Sequence, residues 1–262
     1  MRRSDTMKKL AEGKTKTIYE AGDDAVIMYS RDDITAGDGS KRDVIKGKGV
    51  VATTTTANVF ALLNRKGVPT HFRKQVDERS LLCTRCEMIP LEVTIRGTAA
   101  GHYLKRHPEA REGEDLADLP VDFTYKDDSS HDPFVVLEED GSWRLHESER
   151  PVADDTLMEK IEPVLSADER SVVEETARNA FLVLRDAWGK LGVKLVDLKV
   201  EFGRTPDGRL VIGDVIDNDS WRLWPGGDKS RQLDKEIYRE GGTLNDVLKS
   251  YQTVAEMTEL FG

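Results

Sequence analysis

Residues 195–203, LVDLKVEFG, constrain the fold more than any other segment. Successive residues of a strand point to opposite faces, so Val196, Leu198, Val200 and Phe202 share one face and Asp197, Lys199 and Glu201 the other. A slip of one residue would turn all three charges inward, so the register is specified and one face of the sheet is reserved for polar groups. TPDGR supplies a hairpin turn into LVIGDVID, and the antiparallel return brings Asp214, Asp217 and Asp219 toward the charged row. Carboxylates crowded in this way repel one another unless a cation joins them, and Mg2+ takes such hard oxygen ligands. A solvated sheet face is the plainer reading of alternating charge. The following DNDSWRLW weighs against it, because Arg222 between Trp221 and Trp224 needs an anionic partner such as phosphate or carboxylate, stacking on tryptophan being the alternative.

The rest of the chain supplies a frame for that strand. KLAEGKTKTIYEAGDDAVIMYS reads as two strands joined by a polar turn, and the glycine-rich RDDITAGDGSKRDVIKGKG as a long ordered loop. Val50 to Lys66 has helical spacing in spite of its TTTT run. Thr70–Phe72, Leu81–Thr84 and Leu91–Ile95 read as short strands, the last two separated by CEMIP, and GTAAGHYLKRHPEA as the site of a short helix. REGEDLADLP is an exposed connector, and prolines 120, 133, 151 and 163 punctuate the middle of the chain. Ser166 and Glu169 form a potential capping box for a helix to about Trp188, with Val172, Val173, Thr176, Ala180, Val183, Leu184 and Ala187 inward. Two helices flank the Gly241-Gly242 break in the tail. This order predicts an α+β protein, with a small β-rich region over residues 8–90, a larger α+β region over 91–262 and a site in the cleft between them.

Composition narrows the function. The 262 residues, 38 % hydrophobic and 34 % charged, can build a core under a highly charged surface. With 39 Lys+Arg against 49 Asp+Glu the net charge is −10, which disfavours nucleic acid and anionic membranes as partners while leaving room for small anionic substrates. The apolar runs are too short to span a bilayer and MRRSDTMKKL lacks an apolar signal core, so a cytoplasmic protein is expected. Cys83 and Cys86 make a single C-x-x-C with no second pair, read as reduced structural thiols.

Other residues suggest chemistry singly. GKTK places Lys14 and Lys16 on one side of a strand after a glycine, suiting either phosphate or a solvated edge, without the full pattern of a Walker or dinucleotide loop. Arg96 before GTAAG is placed for a bidentate phosphate contact or a structural salt bridge. His131 and Asp132 before Pro133 suit a turn cap or the orientation of a small substrate. Ser166 suits a cap, and no nucleophile elbow is present.

Taken together, KLAEGKTKTIYE, ITAGDGSKRDVIKGKG, CEMIPLEVTIRGTAAGHYLKR, LVDLKVEFG and VIDNDSWRLWPGGDKSRQLDK resemble the SAICAR synthetases, or phosphoribosylaminoimidazole-succinocarboxamide synthases, over about residues 10–250. The resemblance implies an ATP-grasp-like fold with a small kinase-like amino-terminal sheet, assembled as a homodimer or other homo-oligomer. It implies an ATP-dependent ligase of purine biosynthesis that joins L-aspartate to a carboxylated aminoimidazole ribonucleotide through an acyl phosphate, with Mg2+ neutralising phosphate charge. By family position, Lys14 and Lys16 would contact the ATP phosphates, Glu201 and Asp214 would hold magnesium, Lys199 would stabilise the transferring phosphoryl group and Asp197 would organise the strand face. Adenine would lie near Glu87 and Met88. Arg96 and Arg222 would take the ribonucleotide phosphate, and Asp219, Lys126, Asp132, Lys235 and Arg239 would serve the substrate side. Two features depart from the family pattern: ATTTTANVF stands where many members carry an asparagine-rich NNK segment, and His102 stands where many carry serine, next to the expected phosphate. They leave two other readings, a paralogous amide ligase for another azole carboxylate or amine and an inactive nucleotide-binding regulatory protein.

Overall fold

The computed structural model describes residues 7–37, 40–127, 130–147, 150–151 and 157–261. Strands β1 (Lys9–Glu12), β2 (Lys16–Glu20) and β3 (Ala25–Ser30) open the chain. Lys14 therefore lies in the β1–β2 turn and only Lys16 is on a strand, a correction to the expectation that both share one strand side. The glycine-rich stretch after β3 is more than a loop: β4 (Asp33–Ala36) and β5 (Lys41–Val44) pair as a small sheet of their own. Helix α1 (Lys48–Arg65) matches the helical spacing read from Val50 onward.

Strands β6 (Phe72–Asp77) and β7 (Ser80–Thr84) complete an antiparallel sheet in the order β1-β2-β3-β7-β6. Strand β6 starts where the expected Thr70–Phe72 strand ends, because Thr70 bridges instead to Ile212. The chain crosses to the second sheet at Arg85 and Cys86, before β8 (Glu87–Arg96). Residue 90 thus falls inside a strand: Pro90 sits where the ladder shifts register against the neighbouring strand, so its missing N–H is not required there.

The second sheet is larger than the local patterns suggested. After α2 (His102–Arg106), the proline-punctuated middle contains β9 (Val121–Tyr125), β10 (Phe134–Leu137), β11 (Trp143–His146) and β12 (Leu157–Ile161), all antiparallel. Helix α3 (Ala167–Lys190) begins on the expected capping box, with both reciprocal Ser166–Glu169 bonds formed. Its inward stripe is Val173, Ala177, Ala180, Phe181, Leu184 and Trp188, whereas Val172 is exposed. Strands β13 (Val193–Arg204), β14 (Leu210–Gly213) and β15 (Trp221–Pro225) follow, then α4 (Glu236–Arg239) and α5 (Leu244–Thr258) on either side of the glycine pair. Strand β13 lies between β8 and β14, and β15 pairs with its first half.

Strand β13 confirms the alternation with one refinement. Leu198, Val200 and Phe202 join the main core under α3, with Leu195 beside them. Val196 packs instead with Ala100 and Trp224, because the β13–β15 pairing shifts register between Leu195 and Asp197. Helix α1 is the seam of the molecule. Ala57 packs with Met28, Leu81 and Cys83 of the first sheet, Phe60 and Leu63 enter the main core, and Val51 reaches the cluster of Ile34, Tyr238 and Tyr251. The threonine run serves this seam: Thr53 donates to Ser30 Oγ at 2.9 Å and Thr56 to the Ile216 carbonyl at 3.2 Å. Burial pushes the Cys83 and Cys86 thiols up to about 12 and about 11, so both are unreactive thiols near neutral pH. Among the described residues no helix is long and apolar enough to cross a membrane.

Candidate active site

The polar face of β13 carries Asp197, Lys199 and Glu201 two residues apart, so the row extends about 13 Å from first to last. Each residue works with a different neighbour. At the Glu201 end, Gly213 is its cross-strand partner, and the next residue, Asp214, has φ 55°. This left-handed conformation is uncommon outside glycine and tends to mark functional positions. Asp214 is held by two Lys16 Nζ bonds of 2.5 and 2.7 Å and by His71 Nε2, 2.9 Å from its carbonyl. Lys126 Nζ donates to Glu201 at 2.7 Å, and Lys199 Nζ to Glu92 at 2.7 Å.

The charges in this cluster set one another's protonation. Burial and the Asp214 charge raise the Glu201 pKa, against Lys126 and Lys199. Burial would raise Asp214 as well, but Lys16 outweighs it and leaves that carboxyl below its ordinary value. Burial would lower Lys199, and Glu92 reverses that, so the ammonium stays charged.

A second cluster surrounds Asp197, which is 4 % exposed. Asp197 Oδ2 accepts from Arg222 Nη1 at 2.5 Å and lies 3.5 Å from Arg96 Nη1. Arg96 Nε also donates to Asp122 at 2.5 Å, and Asp122 accepts from Arg106. On the far side, Arg222 reaches Glu236 at 3.3 Å, and Glu236 accepts from Arg239. Gly101 lets Arg222 come this close, since a Cβ there would lie 2.5 Å from Arg222 Nη2. The third group is Asp219, which takes Lys235 Nζ at 2.9 Å and the Tyr251 hydroxyl. Burial opposes ionisation of Asp219, yet Lys235 and Lys48 hold its pKa below the ordinary carboxylate value.

A guanidinium set at one end of a strand and a lysine–carboxylate set at the other suit a molecule carrying a phosphate far from its reacting group. The SAICAR synthetase family model matches residues 9–258. The chain belongs to the SAICAR synthetase family. A phosphoribosylaminoimidazole-succinocarboxamide synthase of Herpetosiphon aurantiacus is 46 % identical over 97 % of this chain and 98 % of its own length, and one of Chloroflexus aurantiacus is 45 % identical over 97 % and 96 %. Among solved structures, a SAICAR synthetase in complex with ADP superposes with a TM-score of 0.80 at 32 % identity, covering 95 % of this chain and 96 % of the other. The SAICAR synthetases include the ATP-grasp-like architecture seen here.

Against this family background, the residues read from the sequence fall into distinct places. Lys16, Lys126, Lys199, Glu201 and Asp214 come together, as do Arg96, Asp197, Arg222 and Arg239, and Asp219 with Lys235. Met88 is half exposed, with its sulfur and methyl against Gly203 and Gly213, and Glu87 beside it is exposed. His102 is exposed at the first position of α2, directly after Gly101. Asp132 Oδ1 accepts the Asp127 N–H at 2.9 Å and so closes a turn, the role its local sequence favoured. Glu92, Asp122, Arg106 and Glu236 escaped the sequence reading. Glu92 sits on the strand next to the charged row and Asp122 one strand further out, and only the β8–β13 and β8–β9 registers bring them to it.

The lysine–carboxylate cluster also passes a chemical test for a divalent cation. Glu201 and Asp214 are two partly buried carboxylates, the Asp214 charge opposing ionisation of Glu201 and each already drawing a lysine, and a hard cation relieves that repulsion. Among the described residues no third His, Cys, Asp or Glu joins them. The pair therefore suits Mg2+, which is commonly held by one or two carboxylates with phosphates and water supplying the rest.

Proposed function

We propose that this chain forms SAICAR, an amide of L-aspartate with carboxyaminoimidazole ribonucleotide, in purine biosynthesis, converting ATP to ADP and phosphate. The observation that carries the reading is the single polar face of β13, with an arginine-clamped carboxylate at one end and a lysine–carboxylate cluster at the other. Arg96 and Arg222, held by Asp197, take the ribonucleotide phosphate, and Arg239, Lys235 and Asp219 border that substrate. The imidazole carboxylate then lies toward Lys199 and Lys126. Its oxygen attacks the terminal phosphorus of ATP and ADP leaves. The aspartate amine attacks the acyl carbon, phosphate departs and the nitrogen loses a proton, giving the amide. Lys14, Lys16 and Lys199 balance charge on the phosphoryl oxygens in a site where positioned charges act strongly. Glu201 and Asp214 would hold Mg2+, which would neutralise phosphate charge and align the nucleotide.

In this reading residues 8–90 supply the nucleotide side, with adenine near Glu87 and Met88, and residues 91–262 supply the ribonucleotide side. His102 and Asp132 border the substrate, the protein works in the cytoplasm, and two or more copies assemble. The test is mass spectrometry of products from ATP, Mg2+, carboxyaminoimidazole ribonucleotide and each common amino acid in turn. A succinylated amide formed only with aspartate supports the assignment. Product from another amine, with none from aspartate, would replace it with a paralogous ligase.

A further inference from the structure

Lys48 is the first residue of α1 and is 2 % exposed. Among the described residues its ammonium makes no hydrogen bond and no ion pair within 4 Å. It lies 5.2 Å from the centre of the Tyr251 ring and attracts Asp217 and Asp219 only at longer range. A lysine this deeply enclosed whose ammonium has no acceptor is costly, so its position requires an explanation.

Lys48 borders a small cavity whose other walls are Thr15, Lys16, Ser30, Arg31, Ala52, Val215 and Asp217. The remaining cations of that wall are already engaged. Lys16 is bonded to Asp214, while Arg31 donates to the Gly13 and Lys14 carbonyls at 2.8 and 2.7 Å and pins the β1–β2 turn. The backbone holds Lys48 in place firmly. The Gly49 N–H donates to Asp32 at 2.9 Å, Arg79 clamps the same carboxylate at 2.8 and 3.0 Å, and a Cβ on Gly49 would lie 2.7 Å from the Ser30 carbonyl. The amino-terminal end of an 18-residue helix adds a positive dipole to the same place.

We propose that Lys48 is a further substrate-binding residue, its ammonium taking an anionic oxygen of ATP or of the aspartate substrate in the cavity beside Lys16. This inference rests on the ligase reading and adds to it a cation that neither composition nor motif spacing singled out. The Lys48→Met variant removes the charge and keeps most of the volume. Four quantities are compared with the parent: affinity for a non-hydrolysable ATP analogue, the KM values for aspartate and for ribonucleotide, and the thermal midpoint. A loss of about ten- to hundredfold in analogue affinity, with the aspartate KM held, assigns the oxygen to ATP. A rise of that size in the aspartate KM, with analogue affinity held, assigns it to aspartate. Affinity and both KM values within twofold of the parent would overturn the proposal, as would an equal worsening of all three. If Lys48→Met does not fold, Lys48→Gln is measured by the same criteria. A parent without SAICAR formation sinks the ligase reading alone, because the analogue titration still tests Lys48.

Discussion

Asp197 shows how much one carboxylate can organise. Its Oδ2 lies within 3.5 Å of both Arg96 and Arg222, so the two guanidinium groups are aimed by a single buried acid. Removing one partner of a buried ion pair leaves an uncompensated charge, and Asp197→Asn is expected to cost about 3 kcal/mol. Urea denaturation reads that loss, and an unchanged midpoint would show that Asp122 and Glu236 hold the arginines without it. Gly101→Ala tests the same clamp from the backbone side. A φ of 57° and a Cβ 2.5 Å from Arg222 Nη2 should push the guanidinium aside, raising the ribonucleotide KM about tenfold or more while the ATP KM stays put. At the other end of the row, Glu201→Gln should reduce kcat about a hundredfold or more with little change in the unfolding curve, and Asp214→Asn should reduce kcat as far while also losing the stability of its ion pair with Lys16. Parent-like turnover in both would remove the metal-holding role.

Among the elements, β13 and α3 divide the work between chemistry and support. Strand β13 presents charge on one side and packs Leu198, Val200 and Phe202 under α3 on the other. Helix α3 depends on its capping box, so Ser166→Ala should lower stability by about 1 kcal/mol and leave kcat unchanged, since the cap lies outside the charged clusters. A fall in kcat matching the fall in stability would instead tie the helix start to the site. Both elements were legible in the sequence because each carries a strong local signal, a period of two in one and a reciprocal Ser–Glu pair in the other. Strands β9 to β12 were not: they are four- and five-residue pieces, too short to establish a period. The β4–β5 pair hid behind glycines for a similar reason, its sides being four residues each.

Across the whole molecule, two buried groups at separate joints carry opposite pH dependence. His71 lies where the first sheet bridges to β14, and burial pushes its pKa down to about 4. An unfolded histidine takes a proton near pH 6.5, so the stability linked to His71 is full above that value and is lost as pH falls toward 4. Asp234 accepts the Leu223 and Glu236 N–H groups at 2.9 Å each, yet burial pushes its carboxyl up to about 6. Its contribution runs the other way, full below the ordinary carboxylate range and lost as pH rises through 6. Each change amounts to about 3 kcal/mol, so the two largely cancel in the parent between pH 4 and 6.5. His71→Gln should therefore gain stability relative to the parent as pH falls through that window, and Asp234→Asn should gain as pH rises. Urea midpoints at pH 4.5 and 7 check this, and curves parallel to the parent's in both variants would refute it.

Local order carried a great deal. Alternation set which side chains of β13 could share a face, the Ser166–Glu169 pair set where α3 begins, and a handful of short segments together pointed to the family. Those features depend on neighbours a few residues apart, whose relative directions are dictated by backbone geometry. Partnership was settled by the fold. Asp214 meets Lys16 across 198 residues of chain and Arg96 meets Asp197 across 101, and Lys48 is brought beside Thr15 and Lys16 by the packing of α1 against both sheets. Such pairs depend on strand register and helix docking, which are set by how the elements pack on one another and not by neighbours in the chain.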